Sequence, residues 1–67
     1  MSSVAKIAQL SARSDKSFED AIRAGIDRAN QTLRHVQGAW VKEQKVEISE
    51  GKITAYQVVL EITFVLD

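Results

Sequence analysis

A chain of 67 residues has room for one domain with a small hydrophobic core. It contains no cysteine, which excludes disulfide bonds and thiolate metal sites as sources of stability and leaves association between subunits. Nine basic and nine acidic residues cancel, so no net charge attracts nucleic acid or an anionic lipid surface. We therefore expect neither nucleic acid nor a membrane as a partner.

The start of the chain, MSSVAKIAQL, lacks the basic start and the long apolar h-region of a signal peptide. No segment approaches the length of a membrane span. Together with the absence of cysteine, these features favour a cytoplasmic protein with a single domain over residues 1–67.

The first predicted element is a short strand over residues 4–10, in which apolar residues alternate imperfectly with polar ones. Residues 11–16, SARSDK, are predicted as a polar connector that leads into a helix. Ser14 is the first candidate for the helix N-cap, because its hydroxyl can accept a hydrogen bond from an unpaired backbone N–H. Ser17, together with Asp20, is the alternative one turn later.

From Phe18 the apolar residues follow the period of an amphipathic helix, which is predicted to end at Gln37-Gly38. The apolar stripe consists of Phe18, Ile22, Ile26, Ala29, Leu33 and Val36. Gly25 lies on the same side and lowers helix propensity by about 1 kcal/mol relative to alanine, so we expect it to allow close packing against a strand. Charges of opposite sign recur at four-residue spacing on the other side, which is typical of a solvated face. His35 is interpreted as a cation in the last turn, where the helix dipole favours positive charge.

Residues 39–48 are predicted as a second strand. Its apolar residues occupy odd positions first and even positions later, which indicates a bulge or strong twist near Glu43 to Lys45. Residues 49–52, SEGK, form a short turn in which Gly51 is suited to a positive φ. We therefore expect the second and third strands to form a hairpin.

The terminal stretch, residues 52–67, alternates with period two to the end of the chain. The largely apolar even positions are Thr54, Tyr56, Val58, Leu60, Ile62, Phe64 and Leu66. The odd positions mix apolar and polar residues, so the strand needs a cover on its first face and another subunit near its second. The predicted fold is α+β in the order β-α-β-β, with a three-stranded antiparallel sheet wrapped around one helix. Its open sheet face predicts a homo-oligomer.

Three segments and the element order carry a resemblance to a known family. SDKSFEDAI opens the helix, IDRANQTLRHV closes it, and AYQVVLEITFVLD ends the chain. In this order and at this length they resemble the dodecins, over about residues 4–67. The resemblance implies a hollow, roughly spherical homo-dodecamer whose flavin-binding members store pairs of flavins, such as FMN or riboflavin, at subunit contacts. It implies no catalytic turnover.

The resemblance also implies a ligand site. In flavin-binding dodecins, a glutamine on the last strand bonds the edge of the isoalloxazine ring, and Tyr56-Gln57 matches that motif here. The stacking tryptophan of the family falls on Gly38, since the spacing from Val36 to Gln57 has no gap. Trp40 lies on the same side of the strand and is the alternative stacking ring. A stacked aromatic ring contributes about 1–3 kcal/mol to binding. The absence of tryptophan at position 38 therefore predicts that flavin binds one to two orders of magnitude more weakly.

Other functions stay open beside flavin binding. Gln57 and Trp40 are equally compatible with ordinary subunit contacts in a purely structural cage. Some dodecin-like proteins lack the tryptophan and bind no flavin, and one type is described as calcium-binding. The carboxylates that symmetry could gather are Glu43, Glu47, Glu50, Glu61 and Asp67. No motif of a single chain offers the roughly six to eight oxygens that calcium needs, so the metal ligands are unknown. With one histidine and no cysteine, we do not expect an enzyme.

Overall fold

The computed structural model describes residues 2–66 and contains four elements in the predicted order. They are β1 (Ala5–Ser14), α1 (Phe18–Thr32), β2 (Val36–Ser49) and β3 (Lys52–Val65). Both strand pairs are antiparallel, and the spatial order β1-β3-β2 makes the terminal strand the centre of the sheet. The helix contacts all three strands, which confirms the predicted α+β architecture. Within residues 2–66, no helix is long and apolar enough to cross a lipid bilayer.

The core lies between α1 and the even-numbered side of β3. Val58, Leu60 and Ile62 are completely buried there. The helix contributes the buried small residues Ala21, Gly25 and Ala29, and the larger residues Phe18, Ile22, Leu33 and Val36 pack around them. A Cβ atom added at Gly25 would lie 2.7 Å from Leu60 Cδ1, so the predicted close packing of this glycine against a strand is confirmed.

The first strand is longer than predicted, because β1 continues to Ser14. The connector predicted over residues 11–16 is wrong for residues 11–14 and is limited to residues 15–17. Its second half pairs with the central strand in an unbroken register, which outweighs its polar composition. The N-cap is Ser17, whose Oγ accepts a hydrogen bond from the Asp20 backbone N–H at 3.0 Å. Ser14, the first candidate, instead donates its hydroxyl to Asp20 Oδ2 at 2.7 Å.

Replacing the capping serine tests this assignment. We expect Ser17→Ala to lower the free energy of unfolding by about 1 kcal/mol, because one N–H group of the first helical turn loses its acceptor. Urea unfolding at a fixed protein concentration measures the change. Ser17→Asp keeps an acceptor at the same place and should remain close to wild type. An equal loss in both variants would contradict the capping role.

The helix is shorter than predicted, because α1 ends at Thr32 and not at Gln37-Gly38. β2 already begins at Val36, which pairs with Phe64 of the central strand. His35 has a φ of 58° and lies in the turn between α1 and β2, so its predicted place in the last helical turn is wrong. The apolar spacing of this segment is compatible with a helix or a strand, and pairing with β3 makes Val36 part of a strand.

The predicted hairpin joins β2 and β3 through Glu50 and Gly51, with φ values of 51° and 77°. Two consecutive positive φ values match the type I′ turn, whose twist suits antiparallel strands. β2 is longer than predicted and carries three register shifts. One lies between Val41 and Glu43, next to the segment where the sequence indicates a bulge.

Candidate functional site

The sheet face turned away from α1 carries the residues predicted to bind a ligand, and we call it the open face. Directly opposite residues of paired strands lie on the same face of a sheet, so the register assigns its members. β1 contributes Ile7, Gln9, Ser11 and Arg13, β3 contributes Gln57, Val59, Glu61 and Thr63, and β2 contributes Gly38, Trp40, Glu43 and Lys45. The open face thus combines apolar, amide and charged groups.

Gln57 lies on the open face with its side-chain amide directed toward β1. Its Nε2 donates a hydrogen bond to Ser11 Oγ at 3.0 Å. On its other side is a depression of about 130 Å³, lined by Glu43, Gln44, Lys45, Gln57 and Val59. Small-molecule sites usually enclose about 300–1,000 Å³, so this depression can hold the edge of a flavin but not the whole ring system.

An ion pair crosses the central strand beside Gln57. Arg13 on β1 donates from Nε and Nη2 to the carboxylate oxygens of Glu47 on β2, at 2.8 and 3.1 Å. Ala55, directly opposite Glu47 on β3, is completely buried. The hydrogen bond from Arg13 holds the pKa of Glu47 below its ordinary value and raises the pKa of Arg13 in turn. The pair therefore ties the two edge strands together across β3.

This ion pair predicts a dependence of stability on pH. The pKa of Glu47 is lower in the folded than in the unfolded chain, so the pair stabilises fully above the ordinary value of 4.5. That contribution is lost as the pH falls through the lower folded-state pKa. We expect wild type to lose more stability between pH 7 and about pH 3 than Glu47→Gln, measured by urea midpoints. Arg13→Gln should reduce the pH dependence of the urea midpoint by the same amount. A dependence as steep as that of wild type in either variant would contradict the assignment.

Trp40 and Gly38 lie farther along the open face. Trp40 is opposite Glu61 and is 48% exposed, whereas Gly38 is opposite Thr63. At about 3.3 Å per residue, Gln57 lies roughly 13 Å along β3 from Glu61 and roughly 20 Å from Thr63. One subunit therefore does not bring Gln57 next to Trp40 or Gly38. A ring that contacts both the amide and a stacking side chain needs two subunits.

Tyr56 lies on the opposite side of the sheet from Gln57, as period two requires. Its ring packs edge-on against Phe18, with centroids 5.1 Å apart and an angle of 74° between the planes. Within the subunit Tyr56 therefore belongs to the helix side of the sheet, where it helps to fix the strand that carries Gln57. The structure does not bring it to the other predicted ligand residues.

The carboxylates predicted as possible cation ligands lie apart in one subunit. Glu47 is paired with Arg13, and Glu61 Oε1 lies 3.8 Å from Lys42 Nζ. Glu50 is in the hairpin turn, and Asp67 lies outside the described residues. In residues 2–66, no three His, Cys, Asp or Glu side chains come together as a metal site.

The sequence does not predict two of the residues that lie beside Gln57. Ser11 and Arg13 fall in the predicted connector, because the segment SARSDK is largely polar. A signal was present: polar residues at odd positions and Leu10 and Ala12 at even positions continue the period of a strand. That alternation places both missed residues on the open face.

Comparisons with known proteins agree with this fold. The family model described as Dodecin matches residues 4–67. The dodecin of Thermus thermophilus is 42% identical over 67 residues, covering 100% of this chain and 97% of that protein.

Solved structures give the same result. A variant of the Thermus thermophilus dodecin has a TM-score of 0.91 at 41% identity, covering 98% of both chains. The dodecin of Streptomyces davaonensis has a TM-score of 0.91 at 30% identity, covering 100% of this chain and 98% of its own. The calcium dodecin of Mycobacterium tuberculosis has a TM-score of 0.81 at 30% identity, covering 97% and 93%. The sequence resemblance is confirmed, and the chain belongs to the dodecin family.

Proposed function

We propose that this protein is a homo-dodecameric cage that binds and stores flavin, FMN or riboflavin, where open faces of neighbouring subunits meet. Family membership supports the cage. The observation that carries flavin binding is the Gln57 amide on the open face, at the edge of a depression of about 130 Å³. The depression is too small for a tricyclic ring, so partner copies supply the remaining walls. We place the cage in the cytoplasm.

The chain's own residues would hold the flavin rather than catalyse a reaction. Gln57 offers donor and acceptor groups to the polar edge of the ring. Trp40, half-exposed on the same face, offers an aromatic surface from another subunit. Bound flavin supplies redox capacity and light absorption, and the cage binds, orients and shields it. Our proposal is storage without turnover.

Calcium binding is the second candidate, and it rests on the relative from Mycobacterium tuberculosis described as a calcium dodecin. No cluster of ligands within residues 2–66 supports it, so only symmetry copies could complete such a site. We therefore rank it below flavin binding.

Quenching of flavin fluorescence tests the proposal. We expect wild type to quench riboflavin and FMN, and Gln57→Ala to weaken binding by about tenfold, since roughly 1.5 kcal/mol of hydrogen bonding is lost. Gln31→Ala is the matched control, because it removes the same amide from an exposed position on α1. Equal affinities for wild type and Gln57→Ala would contradict the assignment of Gln57.

Sedimentation of each variant accompanies the titration. We expect a species of about twelve 7.4-kDa subunits in every case. A stable folded monomer at micromolar concentration would refute the cage. If wild type assembles but quenches neither flavin, calorimetric titration with calcium decides whether the second candidate holds.

A further inference from the structure

We propose that Ser11 is a positioning residue, which fixes the side-chain amide of Gln57 so that it recognises the imide edge of a planar ring. The inference rests on the proposed flavin binding and adds a residue and a ligand class to it. The imide edge of isoalloxazine is its N3–H group together with the adjacent carbonyl oxygen. Ser11 itself need not contact the ligand.

The surroundings of Gln57 explain why its amide turns toward Ser11. The residue directly opposite Gln57 on β1 is Arg13. Arg13 is held by both carboxylate oxygens of Glu47, which lies toward the hairpin end of the sheet. Its guanidinium is therefore occupied. Ser11 lies diagonally from Gln57 in the other direction, at a distance that a glutamine side chain spans.

The hydrogen bond to Ser11 anchors the amide of Gln57 against β1. A primary amide has two N–H groups and one carbonyl oxygen. Ser11 Oγ accepts one N–H at 3.0 Å, so the other N–H and the carbonyl oxygen remain for a ligand. This donor and acceptor pair complements an imide, which offers a carbonyl oxygen and an N–H side by side.

Without Ser11 the amide loses this anchor, and the flexible Gln57 side chain can adopt rotamers that turn its N–H and carbonyl groups away from the ligand. A ligand would then have to bind against a mixture of side-chain rotamers, which lowers affinity and selectivity. The contribution of Ser11 is thus preorganisation of the amide.

A comparison of two ligands measures this role directly. The probes are riboflavin and N3-methylriboflavin, which differ only in the imide N–H. Fluorescence quenching gives both dissociation constants for wild type, Ser11→Ala and Ser11→Thr, in the assembled protein and also in the Gly38→Trp background. We expect wild type to prefer riboflavin by about tenfold, as the loss of a hydrogen-bonded group at a polar site predicts.

In Ser11→Ala we expect this preference to fall severalfold toward that of Gln57→Ala, and Ser11→Thr should restore it. A merely structural role of Ser11 would weaken the binding of both ligands equally and leave the ratio of their dissociation constants unchanged. An unchanged ratio in Ser11→Ala would therefore contradict the role of Ser11 without contradicting flavin binding. If neither wild type nor Gly38→Trp binds riboflavin, the proposed function fails and the inference falls with it. The two failures are therefore distinguishable.

Discussion

Leu60→Ala should lower the free energy of unfolding by about 2–5 kcal/mol, because it leaves a cavity in a small core with few side chains that could repack into it. Leu60 is completely buried on the central strand, opposite Leu10 and Val41. A domain of this size has a total stability on the order of 5–15 kcal/mol, so the loss is a large fraction. Urea unfolding should be compared at one protein concentration, since the proposed assembly would make stability depend on concentration.

The matched control is Leu66→Ala, which removes the same atoms from a side chain that is 49% exposed. We expect a loss below about 1 kcal/mol, because less apolar surface returns to water and no closed cavity forms. Similar losses in the two variants would contradict the view that the α1–β3 layer holds the core.

Gly25 gives a second check on the same contact. A methyl group at Gly25 would lie 2.7 Å from Leu60 Cδ1 and 3.1 Å from Leu10 Cδ1. Gly25→Ala should therefore destabilise wild type despite the better helix propensity of alanine. In the Leu60→Ala background the shortest of these contacts is gone and the contact with Leu10 remains, so the same substitution should destabilise much less than in wild type. Additive effects in this double-mutant cycle would show that Gly25 and Leu60 do not constrain each other.

The fold could be predicted wherever the apolar residues kept one regular spacing over many positions and that spacing fitted only one type of secondary structure. The alternation through Tyr56, Val58 and Leu60 predicted a strand with one buried face, and the structure confirms it. Gly51 predicted the hairpin turn because a positive φ is open to few residue types. In both cases, local sequence and tertiary packing favour the same structure.

The local sequence marks the ends of β1 and α1 only weakly. Residues 11–14 continue the strand period through Ala12 alone, and their pairing with the central strand decides that they form a strand. Val36 fits the apolar stripe of the helix, yet it pairs with Phe64 and belongs to β2. Long-range hydrogen bonding therefore outweighs the local pattern at these boundaries.

The candidate site depended on family resemblance more than on physical pattern. Gln57 and Trp40 have no local signature that separates ligand binding from subunit contact. Their separation of roughly 13 Å along the sheet could not be predicted either, because the bulge between Val41 and Glu43 shifts the register between them. The two residues can serve one ligand only across a subunit contact, which no single chain contains.

Gly38→Trp should tighten flavin binding by about 10- to 100-fold, the equivalent of one stacked ring at 1–3 kcal/mol. Gly38 is exposed on the open face, and its φ lies outside the left-handed region, so a side chain is sterically allowed. A Cβ there would lie 3.3 Å from Thr63 Oγ1, whose hydroxyl must shift by a few tenths of an ångström. Fluorescence quenching of riboflavin and FMN measures the gain.

Gly38→Ala is the matched control, because it adds the same Cβ beside Thr63 without a ring. We expect it to bind flavin like wild type. Trp40→Ala separates the two remaining explanations. If it abolishes quenching in wild type but not in Gly38→Trp, Trp40 supplies the ring that position 38 lacks. If Gly38→Trp gains nothing over Gly38→Ala while the cage stays assembled, no stacking site exists at this position, and weakened flavin binding cannot be attributed to the glycine.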